Sequence, residues 1–281
     1  MVATGSSHKR ETSSATISAA GRVCLASATL SGRVLQSLSF APTGAICAAA
    51  TTSLPEVVRG NRNWDYRFSW VRDASFTIQA LWVAACPDEA NQFFDYISSS
   101  AAGSLDQGGD LQIVFGIGDE RDLTERELPQ LEGWRHSAPV RVGNAAWTQR
   151  QLDVYDELLS AVYRMSDHLF DNTHRVGPLA ESGKWDTAPD LAPATREFLV
   201  QLADTAARRW KDKDQGIWEI RGNPRDFLYS KLMCWVALDR AVILADRLNA
   251  TSRSASWTQT LDQIREAIVT KGWSDRAKAF T

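Results

Sequence analysis

Three short segments of this 281-residue chain gather side chains that could do chemistry. The densest runs Asn63-Trp64-Asp65-Tyr66-Arg67-Phe68-Ser69-Trp70-Val71-Arg72-Asp73. Arg72 and Asp73 offer charge-assisted hydrogen bonds of opposite polarity, which suits paired hydroxyls. Tyr66 and Trp70 offer rings that can stack on the apolar face of a pyranose. The plain alternative is a helix start capped by Asp73, with Arg72 in a surface ion pair. The second segment is Asp214-Gln215-Gly216-Ile217-Trp218-Glu219-Ile220-Arg221-Gly222. Glu219 lies between Trp218 and Ile220, and an apolar setting raises a carboxyl pKa toward that of a general acid. Its alternative is a loop carboxylate paired with Arg221. The third, Pro139 through Ala146, carries Arg141, which could face a cleft, and Asn144, which could cap a following helix.

The elements that must position these segments read as helical. Residues 26–40, 73–85, 88–101, 144–168, 192–211, 228–248 and 255–271 read as helices, with an apolar face over 26–40, 88–101, 144–168 and 228–248. Leu30, Val34, Leu35 and Leu38 mark the first of these, and Leu228, Leu232, Trp235, Leu238, Val242 and Ala245 the sixth. Strand alternation is scarce, so the fold class is all-α. Two long connections, 41–71 and 103–143, are rich in Gly, with Pro or charge; loops of that length in a compact domain are functional or disordered, and the residues Trp64 to Asp73 argue for function in the first. Residues 1–25 form a polar, Ser/Thr-rich lead and 26–281 a single domain. Helices with long loops at one end suggest hairpins ranged about an axis, with the function on the loops.

Composition narrows the classes. A net charge of -3 leaves no electrostatic footprint for nucleic acid. No apolar run reaches the roughly 18 residues of a membrane span. The lead lacks the apolar core of a signal peptide, so a cytoplasmic location is expected. The sequon Asn249-Ala250-Thr251 carries little weight in that setting. Cys24, Cys47, Cys86 and Cys234 are not spaced as CxxC and read as free thiols. The four histidines show no metal-ligand spacing, and neither a metal nor any cofactor is expected. Gly116-Ile117-Gly118 lacks the third glycine of a dinucleotide site, and there is no P-loop or GxSxG elbow. Of the eleven tryptophans most read as core, but Trp beside charged residues is also what a sugar site needs.

Taken in order, these segments resemble the family-15 glycoside hydrolases, the glucoamylase and trehalase-like enzymes. The resemblance runs from about residue 33 to the end. It is carried by Ala41-Pro42-Thr43-Gly44-Ala45-Ile46, Thr51 through Glu56, Arg62 through Asp73 and Leu111-Gln112-Ile113. Further on it is carried by Glu125-Arg126-Glu127-Leu128, Val140 through Ala146, Gly216 through Gly222 and Ser230 through Arg240. It implies an (α/α)6 barrel, here partial, with about six or seven of twelve helices. It implies hydrolysis of α-linked glucosides with inversion, in which two carboxyls stand roughly 6.5–9.5 Å apart across the attacking water. Glu219 matches the general acid. Tyr66, Trp70, Arg72 and Asp73 match the segment that holds the non-reducing-end glucose, and Trp218 matches an aromatic wall. Arg141 and Asn144 lie in a matching binding segment. The expected partner is an α-glucoside oligosaccharide or disaccharide.

Three departures qualify this expectation. Fungal relatives carry a second acid where this chain has Ile220. The N-terminal β-sandwich domain of bacterial relatives has no counterpart in the short lead. The family's catalytic base lies beyond the point matching Thr281, so the chain is read as C-terminally truncated. On that reading it is weakly active or inactive alone. The competing expectation is an inactive carbohydrate-binding or regulatory remnant of the same barrel.

Overall fold

The computed structural model describes residues 19–84, 86–105, 110–170 and 191–281. Among them seven α-helices carry the fold: α1 (Ala19–Ser37), α2 (Val71–Val83), α3 (Pro87–Leu105), α4 (Val154–Phe170), α5 (Pro193–Arg209), α6 (Leu228–Ile243) and α7 (Ser254–Lys271). The sequence predicts all seven, with shifted ends. α1 begins at Ala19, inside the expected lead, and stops before a strand at Ser39; residues 1–18 lie outside the described residues.

The helices form two layers. α2, α4 and α6 pack side by side in chain order, and α3, α5 and α7 pack against their backs, with α1 on α2. Periodicity explains the layering. α2 buries Val71, Ala74, Ile78 and Leu81; α3 buries Phe93, Phe94 and Ile97; α4 buries Leu158, Leu159 and Val162. Burial of each large apolar side chain is worth about 1.5–3 kcal/mol, so these stripes fix the helices against one another. α6 departs from the expected stripe. Its buried residues are Ser230, Cys234, Ala237, Leu238 and Ala241, and Leu232 is exposed.

The long connections are not wholly irregular. Residues of the chain 38–143 form three two-stranded antiparallel ladders: β1 (Ser39–Phe40) with β2 (Ala45–Ile46), β3 (Phe68–Trp70) with β4 (Val114–Gly116), and β5 (Arg126–Glu127) with β6 (Arg141–Val142). A fourth, β7 (Trp273–Ser274) with β8 (Ala279–Phe280), follows α7. β3 leads directly into α2, and β1–β2 packs on α3 and on β3. No described helix is long and apolar enough to cross a membrane.

The expected helix over 144–168 is the one element read wrongly. Residues Ala145–Thr148 make a single 3-10 turn and α4 starts only at Val154. Asn144 does cap, but it caps that turn, accepting from the Ala146 N–H at 3.0 Å. Between the two, backbone donors go elsewhere. The Arg150 N–H donates to Gln215 Oε1 (2.9 Å) and the Leu152 N–H to Asp214 Oδ2 (3.0 Å).

Candidate active site

α2 places the first segment. β3 delivers Trp70 directly into the helix N-cap, so Arg72 and Asp73 fall in the first turn at the ladder-bearing end. Asp73 is not the cap: Trp70 holds that position, without a side-chain bond. An acid in the first turn still interacts favourably with the helix dipole. Arg72 is no surface ion pair either. Its Nη1 donates to Gln151 Oε1 at 2.6 Å and lies 3.7 Å from Asp153 Oδ2, while Nη2 donates to Glu219 Oε1 at 3.1 Å. Burial alone would lower the Arg72 pKa; Asp153, Glu219 and Asp73 outweigh it and push it up.

The loop between α5 and α6 places the second segment. Asp214 is fully buried and pairs its backbone with Arg225. Gly216 turns at φ +67°, where a Cβ would stand 3.0 Å from the Phe227 ring. Glu219 itself has φ +51°, a left-handed conformation that costs a non-glycine residue about 1–3 kcal/mol. It is held there by bonds from several directions. Gln149 Nε2 donates to the Glu219 carbonyl (3.2 Å), and the Trp70 indole N–H donates to Glu219 Oε1 (2.8 Å).

Two expectations about Glu219 are corrected by this geometry. Its setting is not apolar: Trp218 is 82% exposed, Ile220 is exposed too, and polar donors surround the carboxylate. Nor is it paired with Arg221, which turns away to Glu125. Both donors converge on Oε1, so a proton on this carboxyl belongs on Oε2.

These groups border a cleft of about 730 Å³. Tyr66, Arg72, Asn144, Trp218 and Glu219 line it, together with Glu56, Arg62, Trp64 and Gln149. Tyr66 packs on Trp70 with ring centroids 6.0 Å apart. Burial, then Glu56 and Glu219, raise the Tyr66 pKa, so its hydroxyl remains a donor at neutral pH. Asp73 keeps an exposed surface, yet the protein crowded around it raises its pKa, Arg72 opposes this and Glu219 adds to it.

Arg141 is placed differently. It is 9% exposed, and its Nη1 donates to the carbonyls of Asn61 (3.0 Å) and Asn63 (3.4 Å). Its Nε lies 3.2 Å from Glu125 and its Nη2 3.4 Å from Glu127. Its two Nη groups are engaged by the scaffold, while its Nε faces Glu125 without a hydrogen bond. The Asn144 amide likewise donates to the Asp65 carbonyl (3.1 Å). Sequence reasoning missed Gln149, Gln151 and Asp153, because it buried them in a helix that begins later.

Among the described residues no cluster of His, Cys, Asp or Glu could hold a metal ion. A family model for glycosyl hydrolases family 15 matches residues 30–281. The chain belongs to that family. It is 38% identical over 246 residues to a trehalase of Mycobacterium tuberculosis, covering 88% of this chain and 33% of that protein. It is 33% identical over 251 residues to a trehalase of Thermoplasma volcanium, covering 89% and 36%. The chain thus spans about a third of the length of the curated relatives it matches. Among solved structures, a wild-type glycosidase superposes with a TM-score of 0.62 at 19% identity, over 92% of this chain and 60% of that one. A glucoamylase from Saccharomycopsis fibuligera superposes at 0.59 and 15%, over 91% and 51%. A bacterial glucoamylase complexed with acarbose superposes at 0.55 and 16%, over 85% and 27%. The two helix layers are therefore a partial (α/α)6 barrel, seen through seven helices.

Proposed function

We propose that this chain is the acid-bearing part of an inverting α-glucoside hydrolase. Glu219 protonates the glycosidic oxygen through Oε2, while Trp70 and Arg72 hold Oε1. The observation that carries this reading is that convergence on Oε1, at 2.8 and 3.1 Å, inside a cleft lined by Tyr66 and Trp218. As the glycosidic bond breaks, the proton moves to the leaving sugar's oxygen and Glu219 becomes a carboxylate. Arg72 and the Trp70 N–H then stabilise the charge that has developed. Arg72 and Asp73 bind hydroxyls of the glucose whose bond is cleaved, Tyr66 and Trp218 supply the aromatic walls, and Asn144 borders the sugar. Arg141, buried with its Nη groups bonded to the scaffold, supports the site rather than touching sugar.

Inversion needs a second carboxylate to take a proton from water. We assign that role to no residue of this chain. General-base help is worth about 10²–10⁴-fold, so the chain alone should bind α-glucosides and turn them over slowly. Trehalose heads the substrate panel because the curated relatives are trehalases. The glycosidase solved with glucose and the glucoamylase solved with acarbose supply two binding probes.

The test compares the chain with Glu219→Gln. We expect acarbose and glucose to bind the parent, and slow glucose release from trehalose or maltose to fall a further 10²-fold or so in the variant. Unchanged turnover in Glu219→Gln would sink the acid assignment. Glucose binding with no turnover to lose would favour a non-catalytic carbohydrate-binding remnant, the reading that the unassigned base supports. Rapid hydrolysis by the parent would refute the missing-base part of the proposal.

A further inference from the structure

The left-handed Glu219 has anchors on both sides in sequence, and the proposed acid role uses only one side. Two residues on, Arg221 reaches across to Glu125 in a two-pronged contact: Nη1 to Oε1 at 3.0 Å and Nη2 to Oε2 at 2.6 Å. Glu125 is not a free surface acid. Its side chain is 14% exposed, Arg141 Nε lies 3.2 Å from Oε1, and the Ala145 N–H donates to Oε2 at 3.3 Å. The guanidinium groups of Arg221 and Arg141 both lie over the Trp64 ring, 4.1 and 4.9 Å from its centroid. One carboxylate thus ties the Glu219 loop to the β5–β6 ladder and to the turn that carries Asn144.

We propose that Glu125 is a positioning residue for Glu219, acting through Arg221. The proposal rests on the acid role given to Glu219 above. Magnitudes decide why the clamp would matter for the site and not for the fold. Arg221 is about half exposed, and exposed ion pairs contribute about 0–1 kcal/mol to global stability. A catalytic group displaced by about 1 Å can lose on the order of 10²-fold. A bidentate contact adds directional restraint, which a backbone held at positive φ requires. Glu125 holds its charge at mildly acidic pH. Burial pulls its pKa up, but Arg221, the Ala145 N–H and Arg141 together bring it below the ordinary carboxylate value.

The test measures the affinity of the purified chain for acarbose and for glucose. Acarbose carries a basic nitrogen in place of a glycosidic oxygen, so it reports where the Glu219 carboxylate stands; glucose has no such cation. Glu125→Gln and Arg221→Met should each weaken acarbose about tenfold and glucose less than about threefold. The melting temperature of Arg221→Met should stay within about 2 °C of the parent, given the weak global contribution of a half-exposed side chain. The double variant should be no weaker than the worse single one, because both changes open one contact. Arg221→Lys, which keeps charge without the fork, should fall between. Arg221→Met guards against a folding defect in Glu125→Gln, since its side chain is half exposed. Equal losses for both ligands, no loss, or losses that multiply in the double variant would overturn the clamp. Glu219→Gln separates the two levels. If it weakens acarbose and the clamp variants do not, only the clamp fails. If the parent does not bind acarbose, or Glu219→Gln binds it as tightly, the acid reading fails and the clamp with it.

Discussion

Beneath Arg72 lies a group of buried acids. Asp153, Asp156 and Glu157 occupy the turn around the start of α4, each 3% exposed or less. Their cations are Arg72, Arg164 and Arg240, fewer contacts than three charges would need. Burial pushes Asp153 and Asp156 up to about 6, against the pull of Arg72 and of Ser160 and Arg240 respectively. Glu157 is pushed highest, to about 9, by burial first and then by Asp156 and Asp153. Glu157 is therefore a neutral acid at pH 7, which leaves Arg72 to Asp153 and Glu219. A carboxyl whose folded pKa exceeds its unfolded value stabilises the fold below the unfolded value. That stability is lost as pH rises toward the folded value. For Glu157 the window runs from the ordinary glutamate value of 4.5 up to about 9. Glu157→Gln mimics the neutral acid and removes this slope. We expect the variant to melt roughly 3 °C or more above the parent at pH 8, and level with it near pH 4. Parallel melting curves for parent and variant across that range would contradict the assignment.

At the scale of elements, the segment between the β5–β6 ladder and α4 decides where the cleft residues stand. Gly143 follows β6 at φ +80°, with the Thr124 carbonyl oxygen 2.3 Å from where a Cβ would be. Its N–H donates to Asp65 Oδ2 (3.2 Å), and the Asn144 N–H to the Leu123 carbonyl (2.9 Å). An alanine there is strained by backbone conformation and collides with backbone that cannot yield. Gly143→Ala should cost more than about 1 kcal/mol in denaturant unfolding, and should weaken glucose binding as Asn144 moves. A variant as stable as the parent would show that this turn is not the fixed point we take it to be. The same segment marks the limit of sequence reading. Helices α2, α3, α5, α6 and α7 were legible to within a few residues, because each repeats its apolar stripe at a period of 3.6. Ala145, Ala146, Leu152 and Tyr155 fit that period too, so the pattern alone starts α4 ten residues too early. What interrupts it is tertiary. The Arg150 and Leu152 N–H groups are taken by Gln215 and Asp214, more than 60 residues away. The site shows the same division. Tyr66, Trp70, Arg72, Glu219 and Trp218 could be named from local sequence. Their partners could not: Arg72 meets Glu219 across 147 positions and Arg221 meets Glu125 across 96.

On the scale of the whole molecule, α2, α4 and α6 pack side by side in chain order and, among the described residues, make an arc rather than a ring. The arc leaves large apolar side chains on its surface. Phe76 on α2 is 59% exposed and Ile243 on α6 is 54%, with Leu232, Val83 and Val269 also exposed. α1 adds Leu30 and Val34, on the side of the helix that its sequence pattern assigns to the core. Scattered exposed leucines need no explanation, but apolar side chains on adjacent packed helices form the kind of surface that associates. At 31.1 kDa the 281-residue chain should therefore elute heavier than a monomer, increasingly so with concentration. Salt that strengthens apolar burial, such as sulfate, should increase the effect. Phe76→Gln and Ile243→Gln together should return the chain toward monomer, because both side chains already contact water and lose little packing. Sedimentation that stays monomeric over a hundredfold range of concentration would mean that these side chains are too dispersed to act as one surface. The arc would then be a self-sufficient unit, whose inner helices and the α5–α6 loop hold Arg72, the buried acids and Glu219 in place without further cover.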